Sequence, residues 1–299
     1  MNHPYMTREG GATVTIFVPY DCGNHCPFCI NKEEYSCMDG FSVDKICESI
    51  RVMDEITPYC DFVFTGGEPF ANLASLQVML DQIPTTHKVY INTTFPVLKQ
   101  HTAQDMLDFV AKNREKITCI NVSRHLVKYV EESPDELLAE VAKLVRMRIN
   151  CVLYKNYPAG DMVPYLERIR KLGLPVQFRF DYTDTTPENL YEEEQDKILA
   201  DLHKISDYMG LDGCRMRCGF HFMYKDLHIT YHKTLPYSTM VEEVDGTTYD
   251  ILYDILIKQT GQLHSDWDGT VLDVDAYRNV VFEPYDLKDL VVITPFHEV

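Results

Sequence analysis

Cations are scarce in this 299-residue chain: 28 Lys and Arg stand against 46 Asp and Glu, a formal net charge of −18. Neutralising nucleic-acid phosphates takes clustered cations, so no nucleic-acid partner is expected, and an anionic membrane surface should repel the protein. Long apolar runs are missing too, none reaching the roughly 18 residues that a membrane-spanning helix needs. The first 30 residues lack a basic start followed by an apolar stretch. No secretion signal is therefore expected, and the expected compartment is the cytoplasm. Low-complexity segments and internal repeats are absent as well. What is present, 45% apolar and 25% charged residues, is the composition of a folded protein and excludes disorder. The length suits one large domain or a main domain with an appendage.

Ten cysteines then have to sit where thiols stay reduced, which points away from disulfides and toward metal or redox chemistry. Cys47, Cys119 and Cys151 read as small buried hydrophobes, the first on a helix and the others in strand-like runs. The segment CGNHCPFC is different, because Cys22, Cys26 and Cys29 lie within eight residues and can face one centre. Three thiolates suit an iron–sulfur cluster with one iron left open, or a zinc site completed by His25 or Cys37, and the spacing alone leaves both open.

Apolar, β-branched runs alternate with helical periodicity along the first two thirds of the chain. Strands are expected at Thr13–Pro19, Asp61–Thr65, Lys88–Thr93, Thr118–Ser123, Arg148–Tyr154 and Val176–Tyr182. Helices are expected between them: one opened by Ser42, one capped by Ser133 with Pro134 at its first position, one striped by Val163, Leu166 and Ile169, and a long one from Thr186 and Pro187 to near Gly210. Six strand–helix units require a parallel sheet with right-handed crossovers, and they fall short of the eight that close a barrel. The fold class expected is α/β, a partial (β/α)6 TIM-like barrel over residues 1–210 with a β-rich C-terminal extension over 211–299. Reactive groups belong at the carboxyl ends of such strands. The cysteine loop follows the first strand there, and the Gly66–Gly67 turn follows the second.

CGNHCPFC after a first strand, with TGGEP (Thr65–Pro69) about 40 residues later at the end of a second, resembles the radical S-adenosylmethionine superfamily. The resemblance covers about the first 185 residues. It implies a [4Fe–4S] cluster held by Cys22, Cys26 and Cys29, with S-adenosylmethionine on the open iron. It also implies Phe28 against the adenine, Gly66 and Gly67 beside the methionine moiety, and Glu68 accepting from its ammonium group. Asn92 in YINTT stands roughly where the family places a ribose contact, although the glycine of that motif is missing. Ser123 and Arg124 are candidates for ribose or carboxylate contacts, Arg124 reading equally well as a surface residue. The reaction implied is reductive cleavage to a 5′-deoxyadenosyl radical that abstracts hydrogen from a small molecule or peptide, for epimerisation or another C–H modification. An electron donor such as flavodoxin or ferredoxin is implied with it. The alternative is an activating enzyme that installs a glycyl radical on a partner protein.

Alternation on the sixth strand puts Gln177, Arg179 and Asp181 on one face and Phe178, Phe180 and Tyr182 on the other. The polar face should line the barrel, joined by Asn121, Ser123, Asn150 and Tyr154, and it either binds substrate or satisfies itself. Arg179 suggests a carboxylate or phosphate on the substrate, with Asp181 as the competing partner. Cys214 and Cys218 open the extension, which is similar to a degenerate SPASM or twitch domain. They could bind an auxiliary cluster, return a hydrogen atom to a substrate radical, or pack a core.

Overall fold

The structure, a computed structural model, describes residues 5–7, 12–18, 22–24, 26–29, 40–57, 60–128, 130–154, 157–181, 189, 191–211, 219–233, 239–252, 254–265 and 271–272. In chain order the strands and helices are β1 (Tyr5–Thr7), β2 (Thr13–Val18), α1 (Val43–Ile56), β3 (Asp61–Gly66), α2 (Leu73–Asp81), β4 (Lys88–Thr93), α3 (Ala103–Asn113), β5 (Cys119–Ser123), α4 (Asp135–Ala142), β6 (Met147–Leu153), α5 (Met162–Leu172), β7 (Val176–Phe180) and α6 (Glu192–Ile205). Among the described residues the later elements are strands: β8 (Asp207–Leu211), β9 (Gly219–Tyr224), β10 (Leu227–His232), β11 (Thr239–Val244), β12 (Thr247–Leu252), β13 (Asp254–Ile257) and β14 (Leu263–His264).

These elements fall into two compact units, one of Met1–Gly23, Asn31–Ile120 and Tyr237–Tyr285, the other of Asn24–Ile30, Asn121–Pro236 and Asp286–Val299. Strands from the C-terminal third enter both units.

In the first unit β13, β2, β3 and β4 run parallel, with Ile255 opposite Val14, Val14 opposite Phe62 and Phe62 opposite Val89. Their β-branched and aromatic residues are buried together with Ile46, Ile50 and Met53 of α1 and Leu76, Met79 and Leu80 of α2. Each such side chain contributes about 1.5–3 kcal/mol by leaving water. Ser42 caps α1 as expected, its side chain accepting from the Lys45 N–H. The turn between β13 and β14 docks on this cap: the Ser42 N–H donates to the Gln259 carbonyl at 3.1 Å. A separate small sheet joins β1 parallel and β11 antiparallel to β12. The apolar run ILYDILI is thus divided between β12 and β13 in two sheets.

In the second unit β6, β7 and β10 run parallel, and β9 and β8 continue antiparallel. Phe178 meets Tyr165 of α5 at 6.0 Å, Phe222 meets His203 of α6 at 5.1 Å, and the Tyr231 hydroxyl donates to Gln195 of α6 at 3.3 Å. One face of this sheet therefore carries the helices.

Three local expectations need correction. α4 begins after Pro134 and has no side-chain cap, because the Ser133 hydroxyl accepts from Arg124 at 2.9 Å instead. Val163 is 39% exposed, and the buried stripe of α5 is Met162, Tyr165, Leu166 and Ile169. α6 ends at Ile205, and Asp207–Leu211 pairs with β9 as a strand rather than extending the helix to Gly210.

Candidate functional site

β2 and β3 end side by side, with Val18 opposite Gly66. The Gly67 N–H donates to the Val18 carbonyl at 2.8 Å, so the glycine turn is fixed to the strand from which the cysteine loop departs. Gly66 has φ +110°, and a Cβ there would lie 2.4 Å from the Val18 oxygen. The glycine is required by the neighbouring strand's backbone, a physical reason different from the ligand contact expected from sequence.

Glu68, next in the turn, is buried and accepts four hydrogen bonds. Oε1 takes the Phe70 N–H at 3.0 Å and the Thr93 hydroxyl; Oε2 takes the Thr94 N–H at 2.8 Å and the Thr94 hydroxyl at 2.9 Å. Burial raises its pKa, and the four donors oppose that rise. Since a carboxylate offers about four lone-pair sites, this one is saturated by the protein. Asn92, one residue before Thr93, is half-buried.

In the cysteine loop Cys22, Cys26 and Cys29 are each half-buried, whereas Cys47, Cys60, Cys119 and Cys151 are buried. Burial pushes the Cys60 and Cys151 thiols up to about 12, which removes them as thiolate donors. The Cys29 N–H donates to the Cys26 carbonyl at 3.2 Å, and Asn24 Oδ1 accepts from the Glu131 N–H at 3.0 Å. Among the described residues no three His, Cys, Asp or Glu side chains gather around a position for one metal ion. A cubane cluster does not need that, because each thiolate binds its own iron. Three accessible sulfurs in one loop are a donor set that fits such a cluster.

Phe28 is buried edge-on to the His125 ring, 4.8 Å between centroids, with Tyr154 at 6.0 Å. His125 Nδ1 accepts the Val152 N–H at 3.1 Å. Burial, then Arg124, brings its pKa down to about 4, so the ring is neutral. Sequence reasoning passed over His125; its place at the carboxyl end of β5, directly after Arg124, was the available signal.

Arg124 is fully buried. Its guanidinium donates to the Ser123 carbonyl at 2.8 Å and to the Ser133 hydroxyl at 2.9 Å, and its Nε lies 4.0 Å from Glu132, which pairs with Arg168. It is no surface residue, and the structure joins it to α4 and α5. Ser123 and Tyr154 are half-buried. Arg179 is half-buried, Asp181 is buried, and the two form no ion pair. Cys214 and Cys218 lie outside the described residues. A second feature missed from sequence is a stacked histidine pair, His221 Nδ1 and His228 Nε2 at 3.1 Å. The two-residue Lys225–Asp226 turn between alternating strands was its signal.

Residues 9–138 match a family described as a 4Fe-4S single cluster domain. Among solved structures, SuiB of Streptococcus suis bound to precursor peptide SuiA is 12% identical with a TM-score of 0.57, over 89% of this chain and 64% of that one. SuiB alone gives 12%, 0.55, 89% and 65%, and SuiB bound to S-adenosylmethionine 14%, 0.53, 85% and 60%. The chain thus spans less than two thirds of the length of these structures. No curated protein matches it. The parallel sheet, the strand-rich C-terminal region and these matches define an α/β protein of the partial TIM-like barrel class. The family match covers residues 9–138 and the structural matches extend the likeness of fold over most of the chain. No helix among the described residues is long and apolar enough to cross a membrane.

Proposed function

We propose that the protein is a radical S-adenosylmethionine enzyme that abstracts hydrogen from a peptide or small-molecule substrate. The observation that carries this reading is the fixed junction of Val18 and Gly67, which sets the cysteine loop and the Gly-Gly-Glu-Pro turn at the same end of adjacent parallel strands. Cys22, Cys26 and Cys29 would hold the cluster. When bound, cluster and S-adenosylmethionine together supply one-electron cleavage to a 5′-deoxyadenosyl radical.

The chain's own part is orientation and exclusion of water. Phe28, braced by His125 and Tyr154, offers a buried aromatic surface for the adenine. Glu68 acts by holding the turn: its four hydrogen bonds join residues 68–70 to Thr93 and Thr94, keeping the backbone at Gly67 in place for the methionine moiety. A fold shared with a protein whose structure holds a precursor peptide supports a peptide as substrate. Anaerobic reconstitution tests the reading. Wild-type protein should turn brown and form 5′-deoxyadenosine with reductant, and Cys26→Ala should do neither. Colourless protein carrying stoichiometric zinc would overturn it.

A further inference from the structure

The second unit's sheet has a polar face that its helices do not cover. Phe178 and Phe180 turn toward Tyr165 and Tyr191, so Gln177 and Arg179 turn the other way. Register carries that face across four strands, Asn150 opposite Gln177, Gln177 opposite Thr230 and Thr230 opposite His221. One step along β7, Arg179 stands opposite His232. These are polar residues in two adjacent rows.

Three of them have unmet hydrogen-bonding capacity among the described residues. Asn150 Oδ1 is buried without a partner. The Gln177 side chain, on a residue 2% exposed, makes no hydrogen bond. The Arg179 guanidinium makes neither hydrogen bond nor ion pair, although buried Asp181 follows two residues later on the strand. Folded proteins leave few such groups unsatisfied, and three in adjacent register positions point to a ligand. Adjacent strands are about 4.8 Å apart and alternate residues roughly 6.6 Å, so one small group can span the three.

We propose that this face binds a carboxylate-bearing amide, the grouping of an acidic or C-terminal residue in a peptide. The Arg179 fork takes the carboxylate, Asn150 Oδ1 accepts the amide N–H, and the Gln177 carboxamide bonds the amide between them. Arg148 shares this face, two residues before Asn150, but donates to Asn121 at 2.6 Å, so the guanidinium left to meet a ligand is that of Arg179. A single guanidinium suits a monoanion better than a phosphate dianion. The proposal rests on the enzyme reading and names what that enzyme would hold.

N-acetylglycine is the probe, its binding followed by ligand-detected NMR on the reconstituted protein. Arg179→Gln should weaken binding about tenfold or more, and Arg179→Lys should restore part of it. Asn150→Leu should weaken it roughly fivefold, and the exposed Lys112→Ala should leave it unchanged. Wild-type affinity retained in both Arg179→Gln and Asn150→Leu overturns the proposal, as does inorganic phosphate binding more tightly than N-acetylglycine. The measurement needs neither reductant nor S-adenosylmethionine. Cluster colour and 5′-deoxyadenosine are scored on the same samples, so failure of the enzyme reading shows there and leaves the binding result standing.

Discussion

Glu68 and Thr94 are joined twice, the carboxylate accepting from both the backbone N–H and the hydroxyl of the threonine. This double bond of acceptor to one residue fastens the turn after β3 to the end of β4. Glu68→Gln replaces one acceptor oxygen with an NH2 group that confronts donors already in place. A buried donor left without an acceptor costs about 1–3 kcal/mol, so the variant should unfold at measurably lower denaturant while keeping its slope. An unchanged midpoint would mean that the carboxylate is not held as described.

Gly66 makes a sharper case. Its φ of +110° is strained for any side chain, and a Cβ would sit 2.4 Å from the Val18 oxygen, a backbone atom fixed in the sheet. Gly66→Ala should therefore cost about 3 kcal/mol or more, seen as loss of soluble protein or a large drop in thermal midpoint. Gly160, where a Cβ meets nothing within 4 Å, is the control, and Gly160→Ala should be neutral or slightly stabilising.

Much of this frame was legible in the sequence because local physics decides it. Ser42 caps α1 through a side-chain bond to the N–H three residues on, and alternation on β7 assigned Phe178 and Phe180 to the helices correctly. Ser133 misled because its hydroxyl was taken by Arg124, nine residues away, a contact invisible to a capping rule. The place of Glu68 was readable from its motif. Its saturation by Thr93 and Thr94 was not, since that depends on the neighbouring strand's register. The face built by Asn150, Gln177 and Arg179 was read from alternation, whereas its continuation onto Thr230 and His221 required knowing that β10 pairs parallel with β7.

The cysteines should separate by reactivity. In cluster-free native protein at neutral pH, an alkylating reagent should modify the half-buried Cys22, Cys26 and Cys29 well before Cys60 or Cys151. Only thiolate reacts, and thiols raised to about 12 hold almost none of it. Reconstitution should then protect the three, with about four irons per chain if they hold the single cluster. About eight irons would assign a second cluster to ligands beyond this loop, and Cys214→Ala with Cys218→Ala would locate it.

His125 should make the fold sensitive to acid. Its Nδ1 accepts the Val152 N–H, so protonation would turn an acceptor into a donor facing a donor, inside a buried aromatic contact with Phe28. Its folded pKa is about 4 against an ordinary 6.5. The unfolded chain therefore binds the proton more readily, and the stability due to neutral His125 is complete above pH 6.5 and falls as pH drops toward 4. A shift of that size corresponds to about 3 kcal/mol. Urea midpoints measured from pH 7.5 to 4.5 should fall for the wild type. In His125→Gln, whose side-chain oxygen can accept from Val152 without titrating, the midpoint should start lower and decline less. Parallel declines in the two proteins would assign the acid sensitivity to other groups.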